Sequence, residues 1–143
     1  MNIVTSERLL RKPTGLVKET DDVKQVVEDL FREMEEREAL GMAANQLGYS
    51  CRVFVMRVEP LPPICIVNPV VAKQKGSQLV TEYCESLPGE GVVIKRPYVV
   101  VVKGVNQYFR PVRYRLSGLQ ARIACHEIDH LLGKLIVDYK ERE

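Results

Sequence analysis

The stretch SGLQARIACHEIDHLLG, residues 117–133, has the pattern of one amphipathic helix. Its apolar residues recur at the three- and four-residue spacing of a helix face that packs on a core; they are Leu119, Ile123, Ile128, Leu131 and Leu132. Ser117 is suited to cap the helix N-terminus, and Gly133 to take the left-handed conformation beyond its C-terminus. We therefore predict that this helix lies at the centre of the fold.

The chain has two histidines, His126 and His130, and both lie in this stretch. Residues four apart on a helix project from the same side, so the two imidazoles can bind one metal ion. Glu127 lies beside them, as in HExxH metallohydrolases, where a carboxylate acts on water next to the metal. A bare HExxH match also arises by chance. Because no histidine lies elsewhere, we favour a metal site that takes its third ligand from another segment.

The composition indicates one globular domain spanning residues 1–143, with 45% hydrophobic and 28% charged residues. A net charge of +2 gives no indication of a nucleic-acid partner or an acidic membrane surface. No apolar run approaches the ~20 residues of a membrane span, and the first residues lack the apolar core of a signal peptide. The cysteines at 51, 65, 84 and 125 form no CxxC pair, which favours reduced thiols in the cytoplasm.

The rest of the chain predicts an α+β fold, with antiparallel β-sheets around the central metal-binding helix. We predict an extended arm over 1–18 and a helix from Thr20 or Asp21 to about Glu38, whose charged end (residues 32–38) is a solvated face. Alternation and β-branched residues predict strands over 52–58, 64–67, 78–83, 98–105 and 109–116. Residues 68–69 are expected to end the second strand, residues 86–91 to form a loop, and residues 135–139 to form a short strand.

A third metal ligand is best supplied by Cys84. A thiolate with two imidazoles and an open position is a known catalytic set. Cys84 ends a predicted strand among polar residues, whereas the other cysteines lie in apolar strand patterns or point away from the histidines. Glu82 and Glu85 remain alternatives as oxygen ligands.

Three motifs make the chain resemble the peptide deformylases. The family's GxGLAAxQ corresponds to ALGMAANQ at 39–46, its EGCLS to EYCES at 82–86, and its QHExDHLxG to CHEIDHLLG at 125–133. The LRKP stretch at 10–13 and the Asn68–Pro69 pair are also similar to the family. The chain ends soon after the third motif, which is similar to short members, including phage-encoded ones, that lack a long C-terminal helix.

The resemblance implies a metal site and its chemistry. Cys84 joins the two histidines as a ligand of one divalent ion, Fe²⁺ natively, with Zn²⁺, Ni²⁺ or Co²⁺ as substitutes. Glu127 becomes the general base and acid. The side chain of Gln46 and the backbone N–H of Glu85 become donors to the oxyanion.

The resemblance also implies the substrate, the N-formylmethionyl ends of nascent chains met at the ribosome, which lose their formyl group as formate. The residues it places at the substrate are Leu40, Gly41, Met42, Leu119, Arg122 and Ile123.

Three departures from the family's pattern lie near this site. Tyr83 replaces a glycine, so its φ must suit a residue with a Cβ atom. Glu85 and Arg122 replace apolar residues, and we expect them to approach each other across the cleft, the alternative being that Arg122 extends into solvent. We further expect Glu82, which shares the strand face of Cys84, to pair with Arg96.

Two other functions stay open, and Tyr83 and Glu85 favour the first of them. The first is a catalytically weak or inactive deformylase paralogue that binds metal and peptide. The second is an HExxH endopeptidase, against which the cysteine motif stands.

Overall fold

The computed structural model describes residues 1–84 and 87–139, apart from the side chains at positions 84, 87, 88 and 90. Its helices are α1 (Glu7–Leu10), α2 (Lys24–Glu36) and α3 (Leu119–Leu131), with 3₁₀ turns at Ala44–Leu47 and Ile136–Tyr139. Its strands are β1 (Gly41–Ala43), β2 (Val53–Met56), β3 (Ile64–Lys75), β4 (Gln78–Cys84), β5 (Leu87–Arg96), β6 (Val99–Val105) and β7 (Pro111–Ser117). None of the helices built from these residues has the length and apolarity needed to cross a bilayer.

Two antiparallel sheets surround α3. Five strands pair in the order β1-β2-β3-β6-β7, and β4 pairs with β5. The large sheet is covered on both faces at β2, whose residues alternate between two cores. Phe54 and Met56 pack with α3, whereas Val53 and Val55 pack with α2. The predicted α+β class with a central helix is confirmed.

Helix α3 differs from the prediction at its N-terminus and agrees with it at its C-terminus. Ser117 does not cap the helix, because it is the last residue of β7 and pairs with Val99. Gly118 makes the turn instead, with φ 58° and ψ −122°. Gly133 has φ 78°, as predicted, and a Cβ atom there would lie 2.3 Å from the carbonyl oxygen of Arg11.

Three predictions about strands are wrong. β3 does not end at Asn68, because a φ of 54° and a register shift carry the strand past the proline. The side chain of Asn68 makes two hydrogen bonds with the backbone of Val17, each of 2.8 Å: its oxygen accepts from the N–H, and its nitrogen donates to the carbonyl. Of the predicted loop, residue 86 lies outside the described residues, and residues 87–91 are the start of β5. There Gly91 faces the ring of Tyr83 so closely that a Cβ atom would lie 2.8 Å from it. Residues 135–139 contain a 3₁₀ turn rather than a strand.

The first long helix also departs from its prediction. It begins at Lys24, with Val23 as its N-cap, rather than at Thr20 or Asp21. Its charged end is not wholly solvated, because Glu33 is buried and lies 2.7 Å from the amino group of Met1.

Candidate active site

The two histidines of α3 lie side by side. Their ring centroids are 4.9 Å apart, and one ligand atom from each, with a carboxylate oxygen of Glu127, all lie within 4.8 Å of one another. Burial lowers the pKa of His130 to about 3, so its imidazole is neutral at pH 7, the form that binds metals.

Glu127 is buried, and its Oε1 atom accepts no hydrogen bond from any described residue. Burial raises the pKa of this carboxyl to about 7, which suits proton exchange near neutral pH. A buried carboxylate oxygen that accepts no hydrogen bond from the described residues needs a further partner beside the two imidazoles. A divalent metal ion with its water fits this set of donors.

Glu82 supports this pair from β4. Its Oε1 atom lies 2.6 Å from Nδ1 of His126, which leaves Nε2 as the nitrogen for a metal. Arg96 donates to both carboxylate oxygens at 2.8 Å, so the predicted pair is confirmed. Burial alone would raise the pKa of Glu82, but the hydrogen bonds with Arg96 and His126 lower it to about 2. Because both oxygens are engaged, Glu82 acts as a support rather than the alternative oxygen ligand.

The support extends to the C-terminal turn, which sequence reasoning missed. Arg96 also donates to Asp129 at 2.6 Å and to the hydroxyl of Tyr139 at 3.2 Å. Tyr139 donates to Asp129 at 2.6 Å. Asp129 lies within the histidine motif, but no local pattern links it to a residue ten positions later. Only the fold brings these three side chains together.

Replacing Arg96 by Met is expected to destabilise the protein by about 3–5 kcal/mol, because it leaves two carboxylates without their cation. Arg96 and Glu82 are each 3% exposed, so water cannot compensate. Urea unfolding measures the change. The matched control is Arg113→Met on the surface, expected within about 0.5 kcal/mol of the parent. Equal effects in the two variants would contradict the role of Arg96.

One cavity of about 180 Å³ unites the three motifs. Its walls are Ala39, Leu40, Gly41, Gln46, Glu82, Tyr83, Arg122, Ile123, His126 and Glu127. Two expected substrate residues lie elsewhere. The side chain of Met42 is wholly buried in the core under α2, because β1 turns it away. Leu119 lines a neighbouring cavity together with Leu40.

The turn that carries Gln46 is fixed to α3. The side-chain oxygen of Gln46 accepts a hydrogen bond from the N–H of Ala43 at 3.0 Å. This bond fixes which end of the side-chain amide is the nitrogen, the end that can donate. Asn45 donates to the carbonyl of His130 at 2.6 Å. This second bond, which sequence reasoning did not foresee, ties the glutamine turn to the histidine helix.

Arg122 is held against β4 rather than extended into solvent. Its Nη2 atom donates to the carbonyl of Thr81 at 2.5 Å, and its Nε atom lies 3.9 Å from Glu82. Tyr83 lies in β4 without a positive φ, so its Cβ atom is accommodated. Among the described non-glycine residues, positive φ occurs at 38, 68 and 109. The Cys84 side chain and all of Glu85 lie outside the described residues, so their proposed roles stay predictions.

A family model described as polypeptide deformylase matches residues 1–143. The chain belongs to this family. The deformylases of Chlorobium luteolum and Aquifex aeolicus are 34% and 35% identical to it, over 99% and 95% of its length. These matches cover 78% and 84% of the two relatives.

Solved deformylase structures share the fold. That of the Vibrio parahaemolyticus bacteriophage VP16T, in complex with actinonin, has a TM-score of 0.89 and 33% identity, covering 94% of this chain and 99% of that one. That of Synechococcus elongatus, also with actinonin, has a TM-score of 0.90 and 31% identity, covering 100% of this chain and 81% of that one.

Proposed function

We propose that the chain is a metal-dependent hydrolase that removes the formyl group from N-formylmethionyl peptides and releases formate. The observation that carries this proposal is the single cavity in which Gln46, Glu82, His126 and Glu127 meet, in a member of the deformylase family. We further propose that residues 1–143 act as one catalytic domain in the cytoplasm, on nascent chains at the ribosome.

We propose that Cys84, His126 and His130 hold the metal ion, and that the native ion is Fe²⁺, with Zn²⁺, Ni²⁺ or Co²⁺ as substitutes. The neutral His130 and the Glu82-oriented His126 support two of these ligands. When bound, such an ion would supply Lewis-acid polarisation and would lower the pKa of water, so that hydroxide is available near neutral pH.

The side chains of the protein carry out the proton transfers. Glu127 takes the proton of the attacking water as a bond forms between water oxygen and formyl carbon. It then delivers that proton to the leaving nitrogen as the carbon–nitrogen bond breaks, which yields formate and a free amine. The amide nitrogen of Gln46 and the backbone N–H of Glu85 are the proposed donors to the developing oxyanion.

The substrate would lie along the cavity between β1 and α3. Gly41 lets β1 approach α3 closely at this cavity, because a Cβ atom there would lie 2.8 Å from both Glu127 Oε2 and Ile123 Cγ2. Leu40, Ile123 and the alkyl stem of Arg122 offer an apolar surface to the methionine side chain.

Gly41→Ala is therefore expected to lower kcat/KM for a formylmethionyl peptide by about 10²-fold, because it displaces Glu127 by a fraction of an ångström to 1 Å. Gly89→Ala is the matched control, since a Cβ atom at Gly89 meets no atom of the described residues within 4 Å. Formate release by both variants measures the effect. Equal activity of Gly41→Ala and the control would show that Gly41 does not shape the active site.

The pairing of Glu85 with Arg122 remains a prediction. A double-mutant cycle on kcat/KM with Glu85→Leu, Arg122→Ile and the double variant should give a coupling of about 0.5–3 kcal/mol if the two charges meet. Additive effects would mean that Arg122 is satisfied by Thr81 and Glu82 alone.

One comparison of substrates separates the proposal from its rivals. The protein is incubated with a formylmethionyl tripeptide and with the same peptide unblocked, and products are identified by mass spectrometry. We expect loss of the formyl group alone. Cleavage of a peptide bond in the unblocked peptide would favour an endopeptidase, and an unchanged formyl peptide would favour the inactive paralogue.

A further inference from the structure

The outer face of the large sheet carries a group of cations. In the register of β3, β6 and β7, Lys73, Val101 and Arg115 lie side by side, and Lys103 lies opposite Arg113. Directly opposed residues of antiparallel strands place their side chains on one face. We call this set the basic face: Lys73, Lys75, Lys103, Arg113 and Arg115.

The basic face points away from the core. Val100, Val102 and Leu116, which alternate with its residues along β6 and β7, are buried against α3. All five cations are exposed. Three of them, with Val99 and Val101, border a shallow depression of about 340 Å³. The surface is therefore open to a partner.

The positive charge of this face is not compensated within the described part of the chain. Strands β3, β6 and β7 contain no aspartate or glutamate, and none of the described carboxylates forms an ion pair with the five cations. Like charges directly opposite on a sheet, as at Lys103 and Arg113, destabilise it. An external anion would relieve that repulsion.

The small net charge conceals this face. Helix α2 alone contributes five carboxylates in thirteen residues. The net charge of +2 is therefore the sum of an acidic helix and a basic sheet face, which largely cancel. Association depends on the local potential of a surface as well as on the sum of charges.

We propose that the basic face binds the phosphate backbone of single-stranded RNA. The seven residues of β6 span roughly 23 Å, enough for several nucleotides. Tyr108, which is 74% exposed and lies just beyond the C-terminal end of this strand, offers a ring on which a base can stack. An anionic membrane fits less well, because Val70 is the one exposed large apolar residue on these three strands.

Fluorescence anisotropy with a labelled oligouridylate of about 12 nucleotides tests the proposal. Because each phosphate contact contributes about −0.7 to the slope of log affinity against log salt, three to five contacts predict a fall of about 20- to 130-fold between 50 and 200 mM salt.

The test variant combines Lys73→Gln, Lys103→Gln and Arg115→Gln. It is expected to bind RNA at least about tenfold more weakly and to reduce the salt slope by about 2. The matched control, Arg8→Gln with Lys12→Gln and Lys18→Gln, removes the same charge from exposed positions outside the face. It should stay within about threefold of the parent.

Circular dichroism verifies that both variants are folded, and both should release formate from a short formyl peptide at the parent rate. Lys103→Gln alone removes the like-charge contact, so it should fold and still reduce the slope by about 0.7. No RNA binding at 50 mM salt, equal losses in the two triple variants, or tighter binding to phosphatidylserine vesicles than to RNA would each overturn the proposal.

Discussion

Glu127→Gln is expected to bind one equivalent of metal yet to release formate about 10²–10⁴-fold more slowly than the parent. The amide has nearly the shape of the carboxyl, so the cavity keeps its form, but the amide cannot take and return a proton. The pKa of about 7 places the parent carboxyl where both transfers are feasible near neutral pH.

Metal content by mass spectrometry and formate release are measured on the same samples. Glu36→Gln is the control, because that glutamate is exposed on α2 and should change neither quantity. If Glu127→Gln lost the metal as well, Glu127 would be a ligand rather than the proton carrier, and the assignment of roles would be wrong.

Alanine at Cys84, His126 or His130 is expected to remove stoichiometric metal binding and, with it, formate release. Three protein ligands with one open position form the minimal catalytic set, so a site with two ligands loses most of its affinity. Equilibrium dialysis against Co²⁺ gives the occupancy. Its visible absorption also reports whether a thiolate is bound.

Cys125→Ala is the matched control for Cys84→Ala. Cys125 is adjacent to His126 in sequence, but its side chain lies in the core against the large sheet. That variant should retain one equivalent of metal. Full occupancy in Cys84→Ala would contradict the ligand set and return Glu85 to consideration as an oxygen ligand.

The periodicity of the sequence was sufficient to predict an element where burial of one face decides its structure. The 3.6-residue pattern predicts α3, and strand alternation places Glu82 on the face that meets Arg96. It was insufficient where composition and context disagree. Residues 86–91 have the glycine and proline of a loop, yet residues 87–91 belong to β5, where Leu87 pairs with Cys84 of β4 and Gly91 makes room for Tyr83.

The remaining errors have the same origin. Ser117 is a favourable cap by type, but its pairing with Val99 in the sheet prevents that role. The bonds from Asn45 to His130 and from Tyr139 to Asp129 join segments that carry no local signal for each other. Motif spacing therefore predicts which residues act, whereas the fold determines which residues hold them in place.

Anaerobically purified protein, analysed for iron and then mixed with a formylmethionyl peptide, tests the central claim most directly. We predict about one iron per chain and formate release in proportion to iron content, abolished by chelation and restored by Fe²⁺. Formate release that is absent at full metal occupancy, or that is unaffected by complete removal of the metal, would contradict the account.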